Sequence, residues 1–325
     1  MKNYTIRKYQ SSDALQWNAF VDKAKNATFL FHRDFMEYHS DRFIDHSLLV
    51  FDAQKLVAIL PANQVGSELI SHQGLSYGGL VYPDKTRFET VLSIFEHLLA
   101  YLESQNIQTL HLKPIPGIYC NHFCDETAWM LFTLNAKLSR RDCLTVIDLK
   151  RPFVYSENKM RNIKKAASMG FEVREETDFG PFWNEILIPN LNARHHVDPV
   201  HSLEEIELLQ TRFPNNIRQF NVYQKGRIVG GVTIFESRYV AHCQYISGDA
   251  QINKMGSLDL LFDHLLQHTF KDKDYFDFGI SNENQGRHVN AGLLHWKESF
   301  GAGIAVQDFY EVETTNFKLL SAVLL

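Results

Sequence analysis

The densest run of groups able to move protons or hold anions is Arg194-His195-His196-Val197-Asp198-Pro199-Val200-His201-Ser202. Imidazole exchanges protons near neutral pH, and a guanidinium clamps carboxylates through paired N–H donors. Arg194 and His195 are therefore candidate substrate contacts and His201 a candidate base. A structural helix connection, or a metal site built on the three histidines and Asp198, would use the same residues. No further ligand spacing supports a metal, and none is expected. A second group, Asp277-Phe278-Gly279-Ile280-Ser281-Asn282-Glu283, follows an apolar strand-like run. Asp277 and Glu283 can take a proton from an acceptor amine, and Asp277 can equally hydrogen-bond a neighbouring loop. Its Asp-Phe-Gly triplet lacks the other kinase signatures. The third candidate is Gln251-Ile252-Asn253-Lys254-Met255-Gly256-Ser257, a loop that opens a helix. Backbone N–H groups at such an end bind phosphate oxygens, Gly256 admits close approach, and Lys254 adds a point charge. A plain turn with Ser257 as N-cap explains the same residues.

The surrounding pattern supplies elements to position these groups. Two adjoining strands (Ile228–Ser237 and Tyr239–Gly248), a helix over about 256–270, a strand at Tyr275–Gly279 and a second amphipathic segment follow one another. That order brings a helix N-terminus and a strand end around one ligand. Trp296 on the last segment is a candidate substrate contact, and Lys297 and Glu298 beside it read as an exposed charged face. Upstream, Pro152 is expected to open a helix ending at Gly170, with Lys159, Arg161, Lys164 and Lys165 on it. Such a helix is either a solvated face or a seat for a phosphate-rich donor. Ser202, with Glu205 three residues on, predicts a capped helix to Phe213. Apolar residues at helical spacing over Arg87–Ser104 predict another. In the first half, Gly74, Tyr77, Gly78 and Gly79 either line an acceptor groove, with Tyr77 as a contact, or serve turn geometry.

A chain of 325 residues exceeds one ordinary core and fits two domains, expected at 1–142 and 143–325. Runs of antiparallel strands followed by helix–strand units argue an α+β fold with a mixed sheet. A formal charge of −5 gives no broad basic surface for nucleic acid. No run of about 18 apolar residues occurs, so no membrane span is expected, and a cytoplasmic location follows from the absence of a signal core. Cys120, Cys124, Cys143 and Cys243 show no CxxC spacing. Cys120 and Cys124 flank His122, which invites a metal reading without the partners a zinc site requires.

The order of residues 228–303 resembles the GNAT superfamily of N-acyltransferases. That family's loop, [Arg/Gln]-x-x-Gly-x-[Gly/Ala], matches Gln251 and Gly256 at its ends, with Lys254 in place of the middle glycine. The segments NKMRNIKKA, MGFEVRE, IVGGVTIF and YFDFGIS, over residues 140–312, are similar to the Fem-like branch. That branch includes peptidoglycan aminoacyl transferases using aminoacyl-tRNA, as well as acetyltransferase-like relatives. The resemblance implies two tandem GNAT-like domains and direct transfer of an acyl group from acetyl- or another acyl-coenzyme A to an amine. Gln251, Lys254, Gly256 and Ser257 would hold that donor. The amine would belong to a small molecule or a peptidoglycan precursor. Two rival readings are aminoacyl-tRNA as donor and an inactive binding protein that kept the fold. No coiled-coil arm for tRNA is visible, which places coenzyme A first.

Overall fold

The computed structural model describes residues 4–324, with the side chains of Arg194 and His195 left outside that description. The chain forms two compact units. The first runs to Asp142 and adds Asn284–Arg287 and the chain from Val306 on; the second comprises Cys143–Glu283 and His288–Ala305.

In the first unit, β1 (Tyr4–Lys8), β2 (Leu48–Asp52) and β3 (Lys55–Leu60) make an antiparallel sheet. The β2–β3 turn takes Ala53 to a positive φ of 53°. Helices α1 (Ala14–Val21) and α2 (Arg33–Met36) lie between β1 and β2 in sequence. The strands β4 (Asn63–Val65), β5 (Glu68–Ile70) and β6 (Thr109–Leu112) form a second ladder, with β5 and β6 parallel. The crossover between them is α3 (Phe88–Ser104). Its predicted stripe, Val91, Leu92, Phe95, Leu98, Leu99 and Leu102, is buried in one cluster with Leu48, Val50, Ala58 and Leu60. Helix α4 (Glu126–Thr133) packs on α3.

In the second unit, β7 (Lys137–Asp148), which begins in the first, leads into α5 (Glu157–Ala167) and β8 (Phe171–Glu176). Helix α5 starts five residues after Pro152, because Ser156 adopts extended backbone and its hydroxyl accepts the Lys159 N–H. Next come α6 (Gly180–Phe182), α7 (Ile188–His195), α8 (Leu203–Arg212), β9 (Ile217–Gln224), β10 (Arg227–Glu236) and β11 (Val240–Gly248). Then follow α9 (Ser257–His264), β12 (Tyr275–Ile280), the short strands β13 (Asn282–Glu283) and β14 (His288–Val289), and α10 (Ala291–Glu298). The predicted capping box of α8 forms between Ser202 and Glu205. Strand order is β7-β12-β11-β10-β9-β8, antiparallel except for β11–β12. Finally β15 (Gly303–Glu313) carries the chain to the first unit, where Tyr310–Glu313 pairs antiparallel with β6.

Consecutive side chains of a strand point to opposite faces. At Gly230 of β10 an added Cβ would lie 3.1 Å from Leu258 of α9, and at Gly231 it would lie 2.8 Å from Phe182 of α6. The glycine pair thus lets a helix close down on each face of the sheet. The α9 face holds an apolar core of Val232, Ile234, Leu261, Phe262, Phe276 and Phe278. The opposite face carries polar groups, beginning with the buried ladder Thr233, Gln219 and Asn221.

Candidate functional site

Strand β11 pairs with β10 along its whole length but with β12 only from Val240–Tyr275 to His242–Asp277. A bulge between Thr233 and Ile234 leaves Gln244 between the registers, so His242, Tyr245 and Ser247 share the polar face. Beyond His242 the parallel ladder ends, and the charged groups of the unit gather there. Asp277 is fully buried; its carboxylate accepts from His242 Nδ1 at 2.9 Å and from the Gly279 N–H at 2.7 Å. The His242 side chain keeps 19% of its surface exposed. Gly279 adopts a φ of +72°, which folds its N–H back onto Asp277.

Lys297, expected on an exposed face, is instead 2% exposed. Its ammonium donates to the carbonyls of Gly279 at 2.9 Å and Ile280 at 2.7 Å. Burial lowers its pKa from 10.5 to about 8, against the opposing pull of Cys243 and Asp277. The expectation failed because α10 turns this position onto the end of β12, where a long amine reaches the Gly279 and Ile280 carbonyls. Burial pushes the Cys243 thiol up, so it offers no thiolate nucleophile.

The other sequence candidates are spread over several places. Asp277 lies at the parting of the strands. His201 is on the same face of the sheet: its Nδ1 shares a 2.6 Å hydrogen bond with Tyr245 Oη, and its backbone N–H donates to the same oxygen. Burial raises the Tyr245 hydroxyl to about 12. Arg194 and His195 sit in the last turn of α7, and their side chains lie outside the described residues. Ahead of them Trp183–Leu187 forms a π-helical turn; Pro189 cannot donate the next helical hydrogen bond, and the ladder widens before it. From α7, Asn190 donates to Ser247 Oγ and to the Gly248 carbonyl. Glu283 is exposed and accepts from Asn290. Tyr77 belongs to the first unit, buried against Thr28 with its hydroxyl 2.8 Å from Thr28 Oγ1.

Gln251, Lys254, Gly256 and Ser257 do share one loop, between β11 and α9. The loop is already occupied by its own acid: Asp249 Oδ1 accepts from the N–H groups of Gln251 (2.9 Å) and Ile252 (3.1 Å). Lys254 donates to Gln251, and the buried Ser257 hydroxyl donates to Asn253. Gly256 has a φ of +89°, and a Cβ there would lie 2.9 Å from the Asn162 carbonyl of α5. Asp249 thereby competes with any diphosphate for the Gln251 and Ile252 amides, while the amides at the start of α9 are not among those it holds. Helix α5 lies against α9 through a buried pair, Lys159 Nζ to Asp259 Oδ1 at 2.6 Å. Trp296 Nε1 and Asn162 donate to the same carboxylate, and the ammonium lies over the Phe300 ring. Arg161, Lys164 and Lys165 remain exposed. A cavity of about 370 Å³ opens beside them, lined by Phe153, Tyr155, Met160, Ile163, Lys164 and Gln267, among others.

Sequence reasoning missed His242 and Lys297. The signal for His242 was a lone imidazole inside an otherwise apolar strand, one strand away from a lone acid; no comparable signal marked Lys297. Among the described residues no cluster of three metal-ligating side chains occurs, and no helix is long and apolar enough to cross a membrane.

The family model described as acetyltransferase (GNAT) domain matches residues 156–298. No curated protein sequence matches the chain. Among solved structures, FemX shares 9% identity at a TM-score of 0.67, over 98% of this chain and 99% of its own. The C-terminal domain of a putative lysylphosphatidylglycerol synthetase from Agrobacterium fabrum shares 10% at 0.59, over 96% of each. A tandem GNAT protein from the clavulanic acid biosynthesis pathway shares 12% at 0.53, over 96% and 99%. Identities this low speak for fold alone, and they do so across nearly the whole chain. Residues 156–298 are therefore similar to an acetyltransferase (GNAT) domain, and the chain has the Fem-like tandem GNAT fold, in the mixed α+β form that the residues themselves suggested.

Proposed function

We propose that the protein is an N-acyltransferase that moves an acyl group directly from an activated donor to an amine, with His242 as the base and Asp277 as its orienting partner. The observation that carries this reading is the parting of β11 from β12 with a half-buried imidazole and a fully buried carboxylate at the point of divergence. Asp277 accepts from Nδ1, which fixes the tautomer with the basic lone pair on Nε2, the atom proposed to take the proton of the attacking amine. As the nitrogen attacks the acyl carbon, negative charge builds on the acyl oxygen. Backbone N–H groups on the edge of β11 beyond His242, and the buried Lys297 ammonium, supply the positive potential that stabilises it. The intermediate collapses by expelling the donor's leaving group. In this reading Arg194 and His195, at the end of α7, contact the acceptor, a small-molecule or peptidoglycan-precursor amine; Trp296 remains a candidate contact, and Glu283 an outlying acid.

Acyl-coenzyme A is the donor the family resemblance puts first. A second donor, aminoacyl-tRNA, is favoured by one observation: Asp249 takes up the Gln251 and Ile252 amides of the loop before α9, while α5 exposes three cations nearby. Transfer assays that offer acetyl-coenzyme A or aminoacyl-tRNA, with a panel of amines, test both. His242→Ala is expected to lower kcat by about 10²–10⁴ while leaving the thermal midpoint within a few degrees. Asp277→Asn should do so with a smaller effect on KM than on kcat. Full activity in both variants would move the chemistry away from this face of the sheet.

A further inference from the structure

We propose that Cys120 and Cys124 of the first unit are a reversible dithiol, closed to a disulfide by peroxides. Their Sγ atoms lie 2.7 Å apart, inside the contact distance of two unbonded sulfurs and close to the length of an S–S bond (about 2.05 Å). The frame around them is fixed on three sides. Asn121 donates its backbone N–H to the Lys25 carbonyl at 2.8 Å and its amide to the Ala24 carbonyl at 3.1 Å. Lys25 pairs with Glu126 at 2.5 Å, and the Tyr82 hydroxyl donates to the other Glu126 oxygen at 2.9 Å. Residues on both flanks of the turn are thus bolted to one neighbour, so the two sulfurs are held together without a covalent bond. Cys120 is buried and Cys124 half-exposed, which gives an oxidant access to one sulfur and keeps the other in reserve. Sharing a hydrogen with Cys120 depresses the Cys124 thiol, with the Lys25 ammonium adding to that pull; the buried Cys120 thiol is raised.

The chemistry balances with a peroxide as the only co-reactant. The Cys124 thiolate attacks the peroxide, the O–O bond breaks, and a sulfenic acid forms with release of water. The Cys120 sulfur then attacks the Cys124 sulfur; an S–S bond forms, the S–O bond breaks, and a second water leaves with the Cys120 proton. Two thiols are oxidised and one peroxide is reduced to two waters. The other cysteines lie outside this step: Cys143 is in β7 and Cys243 is fully buried in β11.

The test treats the full-length protein with hydrogen peroxide and measures intact mass. A loss of about 2 Da, reversed by dithiothreitol and mapped to a linked 120–124 peptide, is expected. Cys120→Ser should stop at a sulfenic acid on Cys124, a gain of about 16 Da captured by dimedone. Cys124→Ser should show neither change. No mass change in the wild type, oxygen gain without the 2 Da loss, or a loss that survives either substitution would overturn the proposal.

Discussion

Lys297 is the residue whose physics departs most from its sequence context, and its burial makes a signed claim about pH. Its folded pKa of about 8 lies below the ordinary 10.5 because charging it inside the protein costs desolvation. Below pH 8 both folded and unfolded chains carry the proton and the whole cost is present. Between 8 and 10.5 the unfolded chain holds more protons, so stability rises with pH across that window. The gap corresponds to about 3 kcal/mol as an upper bound. Urea unfolding of the wild type against Lys297→Met from pH 7 to 10.5 should show a steeper rise in the wild type, since the lowered Lys113 ammonium and the raised Tyr82 and Tyr155 hydroxyls act equally in both. A parallel pH response in the two proteins would place the ammonium outside. Gly279 makes a second claim at this scale. Its φ of +72° costs an alanine about 1–2 kcal/mol, although the space for a Cβ is ordinary, with its nearest atoms at 3.5 Å. Gly279→Ala is therefore expected to lower stability by that amount and to misplace the N–H that orients Asp277. The effect on kcat should exceed what the stability loss explains.

At the scale of elements, the parts legible in the sequence are those set by local periodicity. The stripe of α3, the apolar runs of β10 and β11 and the capping box of α8 are written in neighbouring residues. What neighbouring residues do not contain is the outcome of tertiary competition. Pro152 looked like the start of α5, yet Ser156 starts it, because the side-chain cap at 156 satisfies an orphan N–H. Likewise Lys159 reads as one of four surface cations, but α5 packs on α9 and drives it into a pair with Asp259. The loop before α9 matches the ends of a donor-binding pattern, and only the structure shows Asp249 folded into it. The α5–α9 clamp gives the prediction for this scale. Asp259→Asn leaves a buried ammonium beside Trp296 and Phe300 and is expected to cost about 3–5 kcal/mol. Lys159→Met together with Asp259→Leu should recover most of that loss, since a buried ion pair is often replaceable by packed apolar groups. Equal losses in the single and double variants, by chemical denaturation, would mean the pair does not act as a unit.

For the whole molecule, the informative fact is that the first unit is closed by chain from both ends of the sequence. The first unit takes its last strand from β15, some two hundred residues after β6 in order of synthesis. Val312 and Leu320 lie in its core at 0% and 1% exposure, and Thr314 donates its hydroxyl to the Ile107 carbonyl at 2.7 Å. Losing two such apolar side chains and a ladder strand costs more than about 5 kcal/mol, comparable to the whole stability of a domain. A chain ending at Ala305 should therefore lack a folded first unit, despite retaining every residue of β1 to β6 and α1 to α4. Hydrogen exchange read by mass spectrometry is expected to show protection lost in α3 and β6, whose amides depend on that core. Retained protection in both would mean that the terminal segment only covers a unit that is already complete. Loss of protection would show instead that this apolar segment is a structural part of the first unit, as its composition (Leu-Leu-Ser-Ala-Val-Leu-Leu) leads one to expect of a last element packing onto the body.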